Sequence, residues 1–171
     1  FKSRYDFSQQ ELQLDLADLS IADVDGKRYP DANISVNAGL AAGNKNLSLA
    51  FDRLDLELSR RLAQPYLKPE SFVYRLLDEM RPSGQAQNGS FRLWQDEKVR
   101  FQYLSNLVQV SGSGFNGIPK TDNLNAIFSL SEQEGYIQFA SEKGQLGFPT
   151  VYGDSWQTDA LSGQVDWRRQ Q

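Results

Sequence analysis

The sequence predicts a mainly β protein, an antiparallel meander interrupted by one short helical segment. Three observations carry this. Apolar residues alternate with polar ones over most of the chain. Turns rich in Gly, Asn and Asp separate the alternating runs. In a single stretch, residues 59–80, the apolar spacing becomes helical. A chain of 171 residues is one domain or two small ones, long enough for a substantial core.

The elements follow in order. In "FKSRYDF", Tyr5 and Phe7 alternate as in a strand. A chain that opens in mid-strand and ends just after another, "SGQVDWRRQQ", reads as a piece of something longer. Leu12, Leu14 and Leu16 form the next strand, and after a Gly/Pro turn Ile34, Val36 and Ala38 form another. "AAGN" turns the chain into Leu47, Leu49 and Phe51. There the phase slips by one residue and Leu54, Leu56 and Leu58 carry on, which predicts a bulge or bend.

The helical stretch, "SRRLAQPYLKPESFVYRLLDEM", spaces Leu62, Tyr66, Val73, Leu76, Leu77 and Met80 for one helix face. Pro65 must interrupt it, and Pro69 suits the first turn of a second helix over about 69–80. That helix is expected to lay Val73, Leu76, Leu77 and Met80 on the sheet as a lid. Strands then resume with "SFRLW", with Val99, Phe101 and Tyr103, and with "LVQV". Leu124, Ala126, Phe128 and Leu130 follow, then Ile137 and Phe139, Leu146 and Phe148, and finally Val165 and Trp167. The total is about nine to eleven short strands.

One phrase occurs twice. Residues 23–40, "DVDGKRYPDANISVNAGL", are echoed by residues 114–130, "GFNGIPKTDNLNAIFSL": Gly26, Pro30 and Asn33 recur as Gly117, Pro119 and Asn123. The echo predicts a single segment, 1–171, with repeat halves of about 12–58 and 91–148 separated by the helical insert 59–80. The glycines are expected in tight connections at positive φ and the prolines just outside the strands. Leu124, Ala126 and Phe128 are expected to take the roles of Ile34, Val36 and Ala38.

Composition removes most chemistries. The chain has no histidine and no cysteine, so imidazole catalysis, an ordinary zinc site and disulfides are excluded. Eighteen basic residues face 22 acidic ones without long runs of like charge, which argues against nucleic acid. "SGSG" lacks the spacing of a nucleophile elbow, and "DVDG" opens like a calcium loop without the later ligands. Asp15, Asp18, Asp55 and Glu57 fall on the polar phase, where solvation explains them, so a carboxylate-dependent hydrolase is the weakest reading. No enzyme activity, cofactor or metal is expected, and no apolar run is long enough for a membrane span. An extended sheet with one apolar face must bury that face on something. It either closes into a β-sandwich or barrel, a structural or protein-binding module, or leaves an apolar trough for a ligand.

Several stretches in fixed order carry a resemblance. Met80-Arg81-Pro82-Ser83-Gly84, "VRFQYLSNLVQV", "GFNGIPKTDNLNAIFSL" and "DWRR" resemble the YhdP-like members of the AsmA-like superfamily, whose relatives include TamB. The resemblance runs from about Leu12 to Arg169. It implies an elongated meander curled into a taco-like apolar groove, part of a long periplasmic protein anchored in the inner membrane of Gram-negative bacteria, the anchor lying outside this chain. It further implies a bridge between the two membranes along which phospholipid acyl chains pass, with neighbouring segments of the same protein, or further copies of the chain end to end, as partners. On this reading the groove lining is Leu12, Leu14, Leu16, Ile34, Val36, Leu47, Leu49, Phe51, Phe101, Tyr103, Phe128, Ile137, Phe139 and Phe148. The physics agrees: at about 0.8 kcal/mol per methylene, a 16-carbon tail needs roughly 12 kcal/mol of shelter from water.

Overall fold

Most alternating runs pair with the run before them in sequence. The computed structural model describes residues 2–6, 10–39, 45–95, 98–116, 118–147, 155–157 and 159–168. The strands are β1 (Lys2–Asp6), β2 (Glu11–Leu19), β3 (Ala32–Gly39), β4 (Lys45–Asp55), β5 (Ser83–Gln95), β6 (Val99–Gly112), β7 (Lys120–Ser131), β8 (Glu134–Glu142), β9 (Gln145–Gly147), β10 (Ser155–Gln157) and β11 (Ala160–Arg168). Between β4 and β5 stand α1 (Leu56–Ala63), a 3-10 turn (Gln64–Tyr66) and α2 (Phe72–Met80).

All pairing is antiparallel, in the order β1-β2-β3-β4-β5-β6-β7-β8-β11. Ala126 opposes Phe139 on β8 and Thr121 opposes Leu146 on β9, so β8 and β9 lie end to end along β7. Lys143, at φ 53°, marks the break between them. β10 and β11 lie end to end in the same way, along β9 and β8. The eleven segments therefore make a nine-ribbon meander, about 38 Å across at ~4.8 Å per strand. Among the described residues β1 pairs only with β2 and β11 only with β8, so the sheet is a single open layer. A closed sandwich or barrel is not formed.

The helical insert departs from expectation at both starts. Leu56 and Leu58 alternate like a strand, yet helix begins at Leu56, three residues before the expected 59. The cause is Asp55, whose carboxylate accepts the Leu58 N–H at 2.9 Å and caps the helix. α2 begins at Phe72, not near Pro69, because Ser71 is its cap, accepting from Tyr74 N–H at 3.2 Å. Pro65 does break the helix, inside the 3-10 turn. Val73, expected against the sheet, is 49% exposed, while Leu76, Leu77 and Met80 are half-buried.

The repeated phrase corresponds to a repeat in the register, with different partners from those expected. Rows of opposed residues run Leu16–Ile34–Phe51–Gly89, Leu14–Val36–Leu49–Phe91 and Leu12–Ala38–Leu47–Leu93 across β2–β5. Across β6, β7, β8 and β11 the matching rows are Leu107–Ala126–Phe139–Gly163, Ser105–Phe128–Ile137–Val165 and Tyr103–Leu130–Gly135–Trp167. Ala126 and Phe128 thus take the roles of Ile34 and Val36, and Leu124 takes that of Ala32, two residues away from the alignment by turn residues. The reason is a shared bulge. Asp18 (φ 53°) and Gln109 (φ 51°) break the ladder, and their N–H groups donate to the side chains of Asn33 and Asn125. Strand β5 belongs to the first copy and the helical insert lies within it. Gly26 sits at φ 82° in a turn where Asp23 accepts the N–H groups of Asp25 and Lys27. Gly117 lies outside the described residues.

Among the described residues the buried apolar side chains gather toward one end of the strands. Tyr29, Ala32, Phe51, Ala86, Phe115, Leu124 and Ala126 are the buried apolar residues. They sit where the 20–31 loop, the helices and the stretch before β7 meet the sheet. An ionic cluster ties two of these coverings together: Lys27 to Glu57 at 2.7 Å, Arg61 to Asp23 at 3.2 Å, and Arg61 to Glu57 at 3.5 Å. At that end α2 is held by its last carbonyl, Met80 O, which accepts Ser113 N–H at 2.8 Å.

Candidate functional site, an unroofed apolar floor

Residues directly opposed in an antiparallel pair share a face of the sheet, and successive residues alternate faces. Register therefore sorts the side chains into two surfaces. One row runs Ser3–Leu14–Val36–Leu49–Phe91–Tyr103–Leu130–Gly135–Trp167 through all nine ribbons. Its neighbour on the opposite face runs Arg4–Gln13–Asn37–Ser48–Arg92–Gln102–Ser131, polar throughout. Sequence alternation has become an apolar floor with a polar back.

Every residue expected to line the groove stands on that floor, except Phe148, which lies outside the described residues. Leu12, Leu47 and Phe101 share one row with Tyr5, Ala38 and Leu93. Leu14, Val36, Leu49 and Tyr103 share the long row. Leu16, Ile34 and Phe51 form the row beneath the covered end, and Phe128, Ile137 and Phe139 continue the floor into the second copy. Phe91, Leu93, Leu130 and Trp167 belong to it too and were not singled out. In "SFRLW" both Leu93 and Trp94 are apolar, so periodicity leaves the phase open. Pairing resolves it: Leu93 opposes Leu47 and Phe101, while Trp94 opposes Asn46 and Arg100 on the back.

The floor is covered at one end and open at the other. Phe51 is 5% exposed, whereas Tyr5 and Leu12, far from the helices, are 41% and 37% exposed. Most of the remaining floor is half-buried, which for an open sheet means shelter by neighbouring side chains alone. Tyr103, Phe128 and Trp167 form a chain of tilted rings, with centroids 5.9 and 6.2 Å apart. Burial pushes the Tyr103 phenol above its ordinary value, so it stays neutral in the floor.

The ion pairs of the coverings stand apart from the long apolar row, and Arg168 pairs with Glu134 at 3.0 Å on the opposite face. The hydrogen bond from Lys27 holds Glu57 below the usual carboxylate range, and the same contact raises Lys27. Desolvation opposes ionisation of Asp23, but the N–H groups of Lys27 and Asp25, with Arg61, outweigh it and lower its pKa. Among the described residues no cluster of acidic side chains could hold a metal ion. Two depressions of ≈ 530 and ≈ 540 Å³ are rimmed largely by polar groups, Arg4, Glu11 and Asn37 in one, Gln102, Ser131 and Glu134 in the other. Neither follows the apolar rows. No helix among the described residues is long and apolar enough to cross a membrane.

The arrangement offers a continuous apolar strip running across the strands. Compared with known proteins, residues 2–171 match the family model described as "YhdP protein". No curated protein and no solved structure matches the chain.

Proposed function

Because this chain belongs to the YhdP family, we propose that it is a segment of a bridge-like lipid transport protein, sheltering phospholipid acyl chains between the inner and outer membranes of a Gram-negative envelope. Membership of the family supports lipid transport in general. The observation that carries the finer reading is the nine-ribbon row from Ser3 to Trp167, apolar from Leu14 onward and backed by an all-polar row.

A transport surface for acyl chains has to be apolar, continuous and free of strong local traps. The floor answers these requirements by its residue types, mainly aliphatic and aromatic side chains, with the Tyr103 phenol held neutral. At about 0.8 kcal/mol per methylene, even partial cover offsets much of the cost of carrying a tail through water. The direction of travel runs across the strands, so further strands at either edge lengthen the path. Neighbouring segments of the same protein are the natural partners at those edges, and the compartment is the periplasm.

Native mass spectrometry of the purified chain tests this. Retained phospholipid, displaced by added fatty acid, is the expected outcome. A lipid-free spectrum after purification from membrane-containing lysate, with no uptake from phospholipid vesicles, overturns it.

A further inference from the structure

In each copy of the repeat a glycine lies directly opposite a phenylalanine of the floor: Gly89 faces Phe51, and Gly163 faces Phe139. These are equivalent positions in the matching rows. A third glycine, Gly135, faces Trp167. In all three pairs the space that a β-carbon would occupy is taken by the partner's ring. At Gly163 the nearest atoms to such a carbon are all from the Phe139 ring, beginning with Cζ at 2.7 Å. At Gly89 they are the far edge of Phe51, and at Gly135 they include Cζ2 and Cε2 of Trp167.

A ring that occupies its neighbour's side-chain space lies down across the adjacent strand. Were the opposing residue larger, the ring would have to stand away from the sheet, into the space above the floor. Glycine is otherwise a poor strand residue, lacking a side chain to pack. Its recurrence opposite the aromatic residue in both copies therefore calls for a reason that resides in the pair.

We propose that Gly89, Gly135 and Gly163 are depth-setting residues: they let Phe51, Trp167 and Phe139 lie flat, so that the floor stays low enough for a linear acyl chain to rest along it. This rests on the lipid reading above. It adds that specificity for slender, unbranched chains is set by glycines that touch no ligand, through the posture of the rings they accommodate.

Gly163 is the clean place to test it, because the three atoms nearest to the added methyl all belong to the Phe139 ring. Gly135 also has the Ser129 carbonyl close by, and Gly89 lies under the covered end. The probe is cis-parinaric acid, a linear polyene fatty acid that fluoresces when sheltered from water. Four proteins are compared: the natural chain, Gly163→Ala, Phe139→Leu, and the double variant Gly163→Ala/Phe139→Leu, each with a thermal melt. The single glycine variant is expected to bind about tenfold more weakly, the equivalent of roughly two methylenes of lost shelter. Phe139→Leu is the reference for the double variant, which should bind to within about threefold of it, since leucine leaves no ring to raise. Undiminished binding by Gly163→Ala overturns this inference and leaves the lipid reading standing. Failure of the double variant to recover also overturns it, because the loss then comes from strain in the strand. Absence of binding by the natural chain overturns the lipid reading and this inference together.

Discussion

Asn33 and Asn125 perform one task in two places. Each presents its side-chain oxygen to the N–H of a residue at positive φ on the preceding strand, Asp18 at 3.0 Å and Gln109 at 2.9 Å. Each then donates its own N–H at 2.7 Å to a side chain of the next strand, Asp52 or Ser141. The bulges that bend β2 and β6 are thus held by a relay across three strands, repeated along the sheet.

Removing one oxygen from this relay tests its weight. Asn125→Ala should lower stability by about 1–2 kcal/mol, since it leaves the Gln109 N–H without its partner. Asn125→Asp, which keeps an acceptor, should lose much less. Urea denaturation of the two variants checks this, and equal losses would assign the effect to something other than the bulge.

The floor makes its own prediction. Leu49→Asp places a carboxylate between Val36 and Phe91, whereas Ser48→Asp, one residue away, lies in the polar row between Asn37 and Arg92. Lipid recovered with Leu49→Asp should fall several-fold, and recovery with Ser48→Asp should match the natural chain, as surface changes usually stay within about 0.5 kcal/mol. Melting both variants separates a spoiled floor from a spoiled fold.

Asp55 is no neutral outward carboxylate, as alternation suggests, but the cap of α1. Asp55→Ala should therefore cost about 0.5–2 kcal/mol, and Asp55→Ser much less. Amide exchange in residues 56–63 is the measurement. Faster exchange confined to α1 and its neighbours is the expected result.

The tie between the 20–31 loop and α1 should respond to pH at both extremes. Glu57 and Asp23 titrate below their ordinary values of 4.5 and 3.8, so their contribution is complete above those values and fades as pH falls below them. Lys27 titrates above 10.5, so its contribution is complete below that value and fades as pH rises past it. Lys27 and Arg61 are about half exposed, so water screens the pairs and the effect is local and small. NMR spectra should show the amides of Asp25 and Lys27 shifting as pH falls below the ordinary carboxylate value of 3.8, while strand amides hold.

Much of this was legible beforehand. Leu12, Leu14 and Leu16, or Ile137 and Phe139, announce their face because one phase is apolar and the other polar, and register then extends the face across the sheet. The helix starts were not legible from spacing. Leu56 and Leu58 fit a strand as well as a helix, and a single capping carboxylate decides between them. The true offset of the repeat was hidden for a related reason. Turn residues such as Gly26 and Pro30 mark where a loop lies, but Asn33 and Asn125 mark the register, and loops of unequal length slide one against the other. Trp94 shows the remaining limit, since an apolar residue on a polar face follows no period.

The order of the ribbons has a kinetic consequence. Most strands pair with their neighbours in sequence, and the two that do not, β9 with β7 and β11 with β8, skip only one or two short segments, so no contact in the sheet waits for a distant part of the chain. Local contacts lower the entropic cost of closing each loop and speed folding. A growing chain can add one hairpin at a time, each new strand templated by the one just laid down, with the amino-terminal copy in place before the second is made. Lengthening such a protein by duplication requires no rearrangement of what has already folded.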